Sequence, residues 1–139
     1  MPPLGIIAPP FRLPNVVSGE MQELDQLKGA KGTLIIFMCN HCPYVIHLLD
    51  DILKTAEKLL DKKIKTIAIS SNSVVTHPQD GPDKMKELAV SKKFSFPYLY
   101  DKSQEVAKSY KAECTPDFYL FNEKLILDYR GRYDESRPG

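Results

Sequence analysis

Three observations predict an α/β fold. "TLIIFM", Thr33 to Met38, is uninterrupted, apolar and rich in β-branched residues, which is the character of a strand buried on both faces. After Pro43, apolar residues recur at helical spacing (Val45, Leu48, Leu49, Ile52, Ala56, Leu59 and Leu60), with Asp50, Asp51, Lys54, Glu57 and Lys58 opposite. "IKTIAIS", Ile64 to Ser70, then repeats the strand signature. Strand, helix and strand make a βαβ crossover, which predicts two parallel strands joined in the right-handed sense.

The flanking segments are shorter. Residues 1 to 14 hold five of the eleven prolines and predict an extended arm lying over the domain. "FRLPNVVSGEMQELDQLKG" reads as a short edge hairpin, with one helical turn near Glu23 to Leu27, punctuated by Gly29 and Gly32. Pro82 suits the first turn of a helix that continues from Met85 to Lys92. "FSFPYLYD" is a short extended piece, and Asp101 or Ser103 can cap a brief helix over "SQEVAKSYK". "DFYLF" and "LILDYRG", separated by Asn122 to Lys124, predict an antiparallel hairpin. No repeat or low-complexity linker divides the chain, so residues 1 to 139 are expected to form one domain.

Composition narrows the function classes. A chain of 139 residues, 42% apolar and with a net charge of +1, describes an ordinary globule. That charge gives no electrostatic reason to expect a nucleic-acid or anionic-membrane partner. No apolar run is long enough to cross a bilayer, and "MPPLGIIAPPFRLP" lacks the basic start and continuous apolar stretch of a secretory signal. A cytoplasmic address is the expectation. Three cysteines are too few for a disulfide scaffold, and in a reducing compartment they are catalytic, metal-binding or inert.

Two of the three stand in Cys39-Asn40-His41-Cys42-Pro43, where the first strand turns into the long helix. The carboxyl end of a central parallel strand is the usual position of a functional site in an α/β sheet. Cys42 falls at or beside the helix N-cap, where unpaired N–H groups and the helix dipole favour a thiolate, the nucleophile of disulfide exchange. His41 can add positive charge or shuttle a proton. Cys39 is within plausible reach for a disulfide if the loop folds back. Two other readings exist. Cys39, Cys42 and His47 have C-x2-C-x4-H spacing, with Cys114 as a fourth ligand for a metal, but His47 falls more than a turn into the helix. A buried free cysteine can also be a small hydrophobe and nothing more. A C-x-x-C within a βαβ unit favours redox chemistry over both. His77, in a polar loop, is assigned no role.

The third cysteine lies in "AECTPDFYLF", where Pro116 must mark the very start of a strand because it cannot donate to the ladder. CNHC followed by CTP resembles the thioredoxin superfamily, whose active-site cysteine faces a cis-proline loop. The resemblance is closer to one branch, the redoxin or alkyl hydroperoxide reductase/thiol-specific antioxidant-like proteins. "APPFRLPNV", "ELDQLKGAKGTLIIF", "FMCNHCPYVIHL", "SQEVAKSY", "CTPDFYLFN" and "YRGRYDESRPG" look like that branch in the same order, over nearly the whole chain.

The resemblance implies a three-layer thioredoxin-like fold, a central mixed sheet with helices on both faces. It would add a final helix after "YRGRYDESRPG", and an apolar face left uncovered there would favour a homodimer. It implies a thiol–disulfide oxidoreductase in which Cys42 attacks and Cys39 or Cys114 resolves. Thr115 offers its backbone to substrate beside Pro116, and Asn40 and His41 are further substrate-contacting candidates. The partners implied are a disulfide substrate, or a peroxide, and a cellular thiol reductant; no cofactor or metal is expected. A thiol peroxidase using the same Cys42 is the alternative, and a metal-binding or redox-inactive module a further one. The chain departs from the relatives at named positions. Aligning strand and helix puts the usual second cysteine at Val45 and thioredoxin's buried acid at Ile36, which cannot relay protons. Peroxiredoxins carry Thr or Ser where this chain has Cys39, and their arginine would fall near Thr115-Pro116. Arg130 and Arg132 are the arginines left on the last strand.

Overall fold

The computed structural model describes residues 5–38, 43–70, 81–112 and 117–131. Its centre is the first of the apolar runs. Gly32–Phe37 forms β3, every residue of which is buried. It pairs in parallel with β4, Ile64–Ser70, and antiparallel with β6, Asp117–Asn122. β5, Tyr98–Tyr100, adds in parallel to β4, and β7, Leu127–Gly131, adds antiparallel to β6. The sheet order is β5-β4-β3-β6-β7, mixed as expected, with β3 in the middle. A separate two-stranded ribbon of β1, Arg12–Pro14, and β2, Met21–Glu23, lies against the outer strand through a bridge from Asn15 to Leu99.

Side chains alternate across β3, and each face finds its own cover. Leu34, Ile36 and Met38 pack beneath α2, Pro43–Asp61, and α3, Pro82–Ser91, which contribute Leu49, Ile52, Ala56, Met85 and Ala89. Ile35 and Phe37 point the other way, into a cluster with Ala8 and Phe11 of the arm, Leu24 of α1 (Leu24–Leu27), and Tyr110, Tyr119 and Phe121. Val106 and Ala107 of α4, Glu105–Ser109, pack against the same cluster. Helices therefore cover both faces. The more open part is the outer edge on the α2 side, where Leu120 is half-buried and its partner Tyr129 is 48% exposed.

The arm is held by the sheet edge. Gly5 and Ala8 donate backbone hydrogen bonds to Leu127 and Leu125, and the Leu127 N–H donates to Ile6. Three local expectations need correction. Leu60 ends up 48% exposed, because the buried stripe of α2 runs through Leu49, Ile52 and Ala56 and has rotated away by the last turn. α4 starts at Glu105 after a left-handed Gln104, which offers no side-chain cap. The two proposed caps act nearby instead: Ser103 Oγ accepts from Glu105 N–H and Asp101 Oδ2 from Ala107 N–H. Lastly, β7 begins at Leu127 rather than Leu125. Asn122 Oδ1 accepts the N–H groups of Lys124 and Ile126, and Leu125 sits at φ 60° inside the turn this creates.

Candidate functional site

Both cysteine motifs attach to one end of the sheet. Phe37, the last residue of β3, is in register with Ile69 on one side and Asp117 on the other. The chain leaves β3 through buried Met38, whose N–H donates to the Ile69 carbonyl at 3.0 Å, and re-enters regular structure at Pro43, the first residue of α2. Cys39 to Cys42 span that interval. Cys114, Thr115 and Pro116 run directly into Asp117. Cys39, Asn40, His41, Cys42, Cys114, Thr115 and Pro116 themselves lie outside the described residues, as do His77 and Arg132. The cis geometry expected at Thr115-Pro116 falls there too. Ile36 is fully buried under the helices, so the position of thioredoxin's acid is apolar and dry here. Among the described residues no group of three or more His, Cys, Asp or Glu side chains could hold a metal.

The acid of this end of the sheet stands on the opposite face. Asp117, 1% exposed, accepts a 2.8 Å charge-assisted bond from Arg130 Nη2 and lies 3.1 Å from the Tyr119 hydroxyl. The same hydroxyl donates to the Tyr110 carbonyl at 3.0 Å, and the Tyr110 hydroxyl donates to the Pro9 carbonyl at 2.6 Å. The guanidinium of Arg130 sits over the Tyr119 ring, 5.2 Å from its centroid, adding a cation–π contact to the ion pair. Its Nε is buried with no hydrogen-bond partner among the described residues.

A bulge makes this cluster possible. Between Leu120 and Phe121 the β6–β7 register slips by one residue, so Arg130 opposes Tyr119 instead of Phe118. Phe118 belongs to the face under α2, and a one-residue slip moves a side chain to the other face. Without the bulge Arg130 would be a charge beneath the helices.

Burial sets the protonation of these groups. It pushes Tyr119 up to about 12; the bond from Arg130 works in the opposite direction, and the neighbouring Asp117 adds to the rise. Burial also raises the Tyr110 hydroxyl, helped by Tyr119 beside it. For Arg130, burial disfavours the charged form, but the bonds and charges of Tyr119 and Asp117 outweigh it, and the net shift is upward. At neutral pH both phenols are therefore protonated donors and the guanidinium is charged.

The carboxyl ends of β4 and β5 meet beside this region. The Asp101 N–H donates to the Ser70 carbonyl at 2.8 Å, and the Ser70 hydroxyl is buried with no partner among the described residues.

The AhpC/TSA family model matches residues 4–130. The chain belongs to the AhpC/TSA family. An uncharacterized conserved protein from Geobacillus kaustophilus is 46% identical over the whole of this chain and 74% of its own, with a TM-score of 0.94. A hypothetical protein from Sinorhizobium meliloti 1021 is 34% identical over the whole of this chain and 75% of its own, with a TM-score of 0.92. The thioredoxin domain of a thiol-disulfide oxidoreductase from Bacteroides vulgatus shares 19% identity over 94% of this chain and 89% of its own, with a TM-score of 0.77. No curated protein matches. The fold is thioredoxin-like, and family membership makes the protein a redox protein of the thiol oxidoreductase or peroxidase type.

Sequence reading passed over Asp117, Tyr119 and Tyr110 and left Arg130 unplaced. One signal was available. An aspartate immediately after a proline, at the head of an apolar strand and on the same face as Tyr119 and Phe121, is a buried charge that requires a partner. The identity of that partner depended on the bulge.

Proposed function

We propose that the chain is a cytoplasmic thiol–disulfide oxidoreductase whose nucleophile is Cys42. The observation that carries this reading is the register of Phe37 with Asp117, which ties the strand leading to CNHC to the strand following CTP at one end of the sheet. The start of α2 at Pro43 supports Cys42 as the nucleophile, since a thiolate there lies against the positive end of a 19-residue helix. In the reaction, the Cys42 thiolate attacks one sulfur of the substrate disulfide and expels the other as a thiolate. Cys39 or Cys114, once deprotonated, then attacks the Cys42 sulfur. An intramolecular disulfide forms, the second substrate thiolate leaves, and the substrate has gained two electrons. A cellular thiol restores the dithiol.

The test is trapping. A Cys39→Ser, Cys114→Ser protein should accumulate mixed disulfides on Cys42, and a Cys42→Ser protein should accumulate none. The Cys42 thiol should titrate below about 8.5, read from alkylation rate against pH. A low value at Cys39 with an ordinary one at Cys42 would reassign the nucleophile. Family membership favours a second reading, a thiol peroxidase passing through a sulfenic acid at Cys42. Position 39 lacks the hydroxyl and position 115 the arginine that would stabilise a departing oxygen, so disulfide reduction should exceed peroxide turnover. Fast peroxide consumption with negligible disulfide reduction would overturn that order.

A further inference from the structure

β4 is longer than its outer neighbour, and the difference leaves a notch at the end of the sheet away from the cysteine motifs. β5 begins at Tyr98, opposite Ala68, so Lys65 and Thr66 have β3 on one side while the outer strand has not yet begun on the other. The ladder stops there for a covalent reason. The Ala68 N–H donates to the Pro97 carbonyl and the Ser70 carbonyl accepts from the Asp101 N–H, so alternate residues of β4 direct their backbone groups toward β5. Thr66 is the next of that set, and Pro97 has no N–H to offer its carbonyl. A cavity of about 220 Å³ occupies the notch, walled by Ala56 and Leu60 of α2, Leu27 of α1 and Phe96.

Every polar side chain that lines this cavity can donate a hydrogen bond. Thr66 is 4% exposed, and its Oγ1 is buried with no hydrogen-bond partner among the described residues. A buried hydroxyl left without a partner is uncommon and points to a group that binds there. Lys65 beside it is exposed and brings an ammonium to the rim. Gln26 commits its side-chain carbonyl to the Glu23 N–H at 2.8 Å, so its NH2 group remains for a ligand, and Ser95 adds a second hydroxyl. No acidic residue lines the cavity. Donors and a positive charge with no carboxylate reject a cation and favour an anion, while the four apolar walls call for an apolar body. We propose that the notch is a binding site for a small carboxylate with an apolar body of about six carbons, a size set by a volume below the roughly 300–1,000 Å³ of a drug-sized site. Thr66 and Lys65 take the carboxylate. Leu60, exposed on the last turn of α2, gains a role as part of the wall around the tail. The site lies about 13 Å along β4 from Ser70, at the opposite end from the cysteine motifs, and does not rest on the oxidoreductase reading.

Hexanoate is the probe and hexanol its uncharged counterpart, each titrated into the full chain and followed by amide chemical shifts. Hexanoate should move the Thr66 and Phe96 amides with a dissociation constant on the order of 1 mM. Hexanol, which lacks the charge, should bind about tenfold more weakly. Thr66→Val keeps the shape and removes the hydroxyl. It should weaken hexanoate about tenfold, as expected for a hydrogen bond to a charged group. Because that hydroxyl has no partner among the described residues, the urea midpoint of Thr66→Val should be unchanged or raised. Lys65→Met should weaken hexanoate only about threefold, since an exposed charge is screened, and should leave hexanol binding unchanged. No shift at Thr66 up to about 50 mM hexanoate would overturn the site. Hexanol binding as tightly as hexanoate would overturn the carboxylate as the ligand class. A Thr66→Val protein that binds hexanoate like the parent, or that unfolds at a clearly lower urea concentration, would show the hydroxyl to be satisfied within the protein and would overturn its role.

Discussion

Over β3 the two faces of the sheet are packed with different materials. On the α2 side, Leu34, Ile36 and Met38 meet Leu49, Ile52, Ala56 and Met85, all without directional groups. On the arm side, Ile35 and Phe37 meet Tyr110, Tyr119 and Phe121, whose rings make edge contacts at 5.7 to 6.0 Å and whose hydroxyls reach Pro9, Tyr110 and Asp117. Over β3, dispersion and area burial hold the first face, and such packing absorbs a small change locally. The second face adds bonds that have only one satisfactory geometry, so a change there propagates to whatever those bonds tie down. What they tie down is the N-terminal arm, the end of α4 and the start of β6, which follows the Cys-Thr-Pro segment.

The largest expected difference comes from breaking the ion pair. Arg130→Met leaves Asp117 buried without its cation, and removing one partner of a buried pair costs about 3–5 kcal/mol. The bulge makes the site unforgiving, because β7 cannot offer another side chain to Asp117 without slipping back one residue. Urea denaturation should show the loss as a lower midpoint with an unchanged slope. A cost below about 1 kcal/mol would mean that Asp117 is satisfied without Arg130 and that the faces differ less than described.

The next effect appears only at high pH and separates the faces by titration. Tyr119 has its pKa raised from 10.0 to about 12 in the folded protein. The folded state therefore holds its phenolic proton where the unfolded chain has released it. This contribution is fully present below about pH 10 and is lost as pH rises toward 12. A rise of that size corresponds to an upper figure of about 3 kcal/mol, reduced by whatever solvent screening reaches the hydroxyl. Wild-type stability should fall across that window, and Tyr119→Phe, although weaker at neutral pH, should fall less steeply. Equal slopes in both proteins would show that Tyr119 is not the group being titrated.

How much of this was legible in the sequence follows the same division. The central strands were readable because uninterrupted apolar runs leave little choice, and Ile64 to Ser70 matches β4 residue for residue. Pro43 and Pro82 marked helix starts because a missing N–H costs nothing in the first turn. On the helix side, spacing correctly marked Leu49, Ile52 and Ala56 as buried and Leu59 as partly so, Leu60 is exposed, and the side chains of Val45 and Leu48 lie outside what is described. The arm-side network was not, since it depends on three facts that spacing does not carry. These are the slip between Leu120 and Phe121, the left-handed turn at Leu125, and the return of Pro9 to within reach of Tyr110. Each is a tertiary choice among registers or paths that the local sequence permits equally. The cysteine motifs were legible as chemistry, and the structure adds to them the pairing of the strands from which they depart.

The smallest expected effect is the most local, and it tests whether the arm side is coupled outward as well as toward the site. Tyr110→Phe removes the 2.6 Å bond to the Pro9 carbonyl but keeps the ring among Phe37, Tyr119 and Phe121. One intramolecular hydrogen bond contributes about 0.5–1.5 kcal/mol, so global stability should fall by that amount. Ile52→Val on the opposite face should cost a similar ~0.5–1.5 kcal/mol through lost packing. Equal costs are what make the pair informative. In Tyr110→Phe the loss should be concentrated in the arm, with faster hydrogen exchange at the Ala8 and Leu127 amides, which pair arm and sheet edge. In Ile52→Val those amides should exchange no faster than global unfolding requires. If both variants loosen the arm alike, the hydroxyl is not its anchor, and the β-ladder bonds at Gly5, Ala8 and Leu127 hold it by themselves.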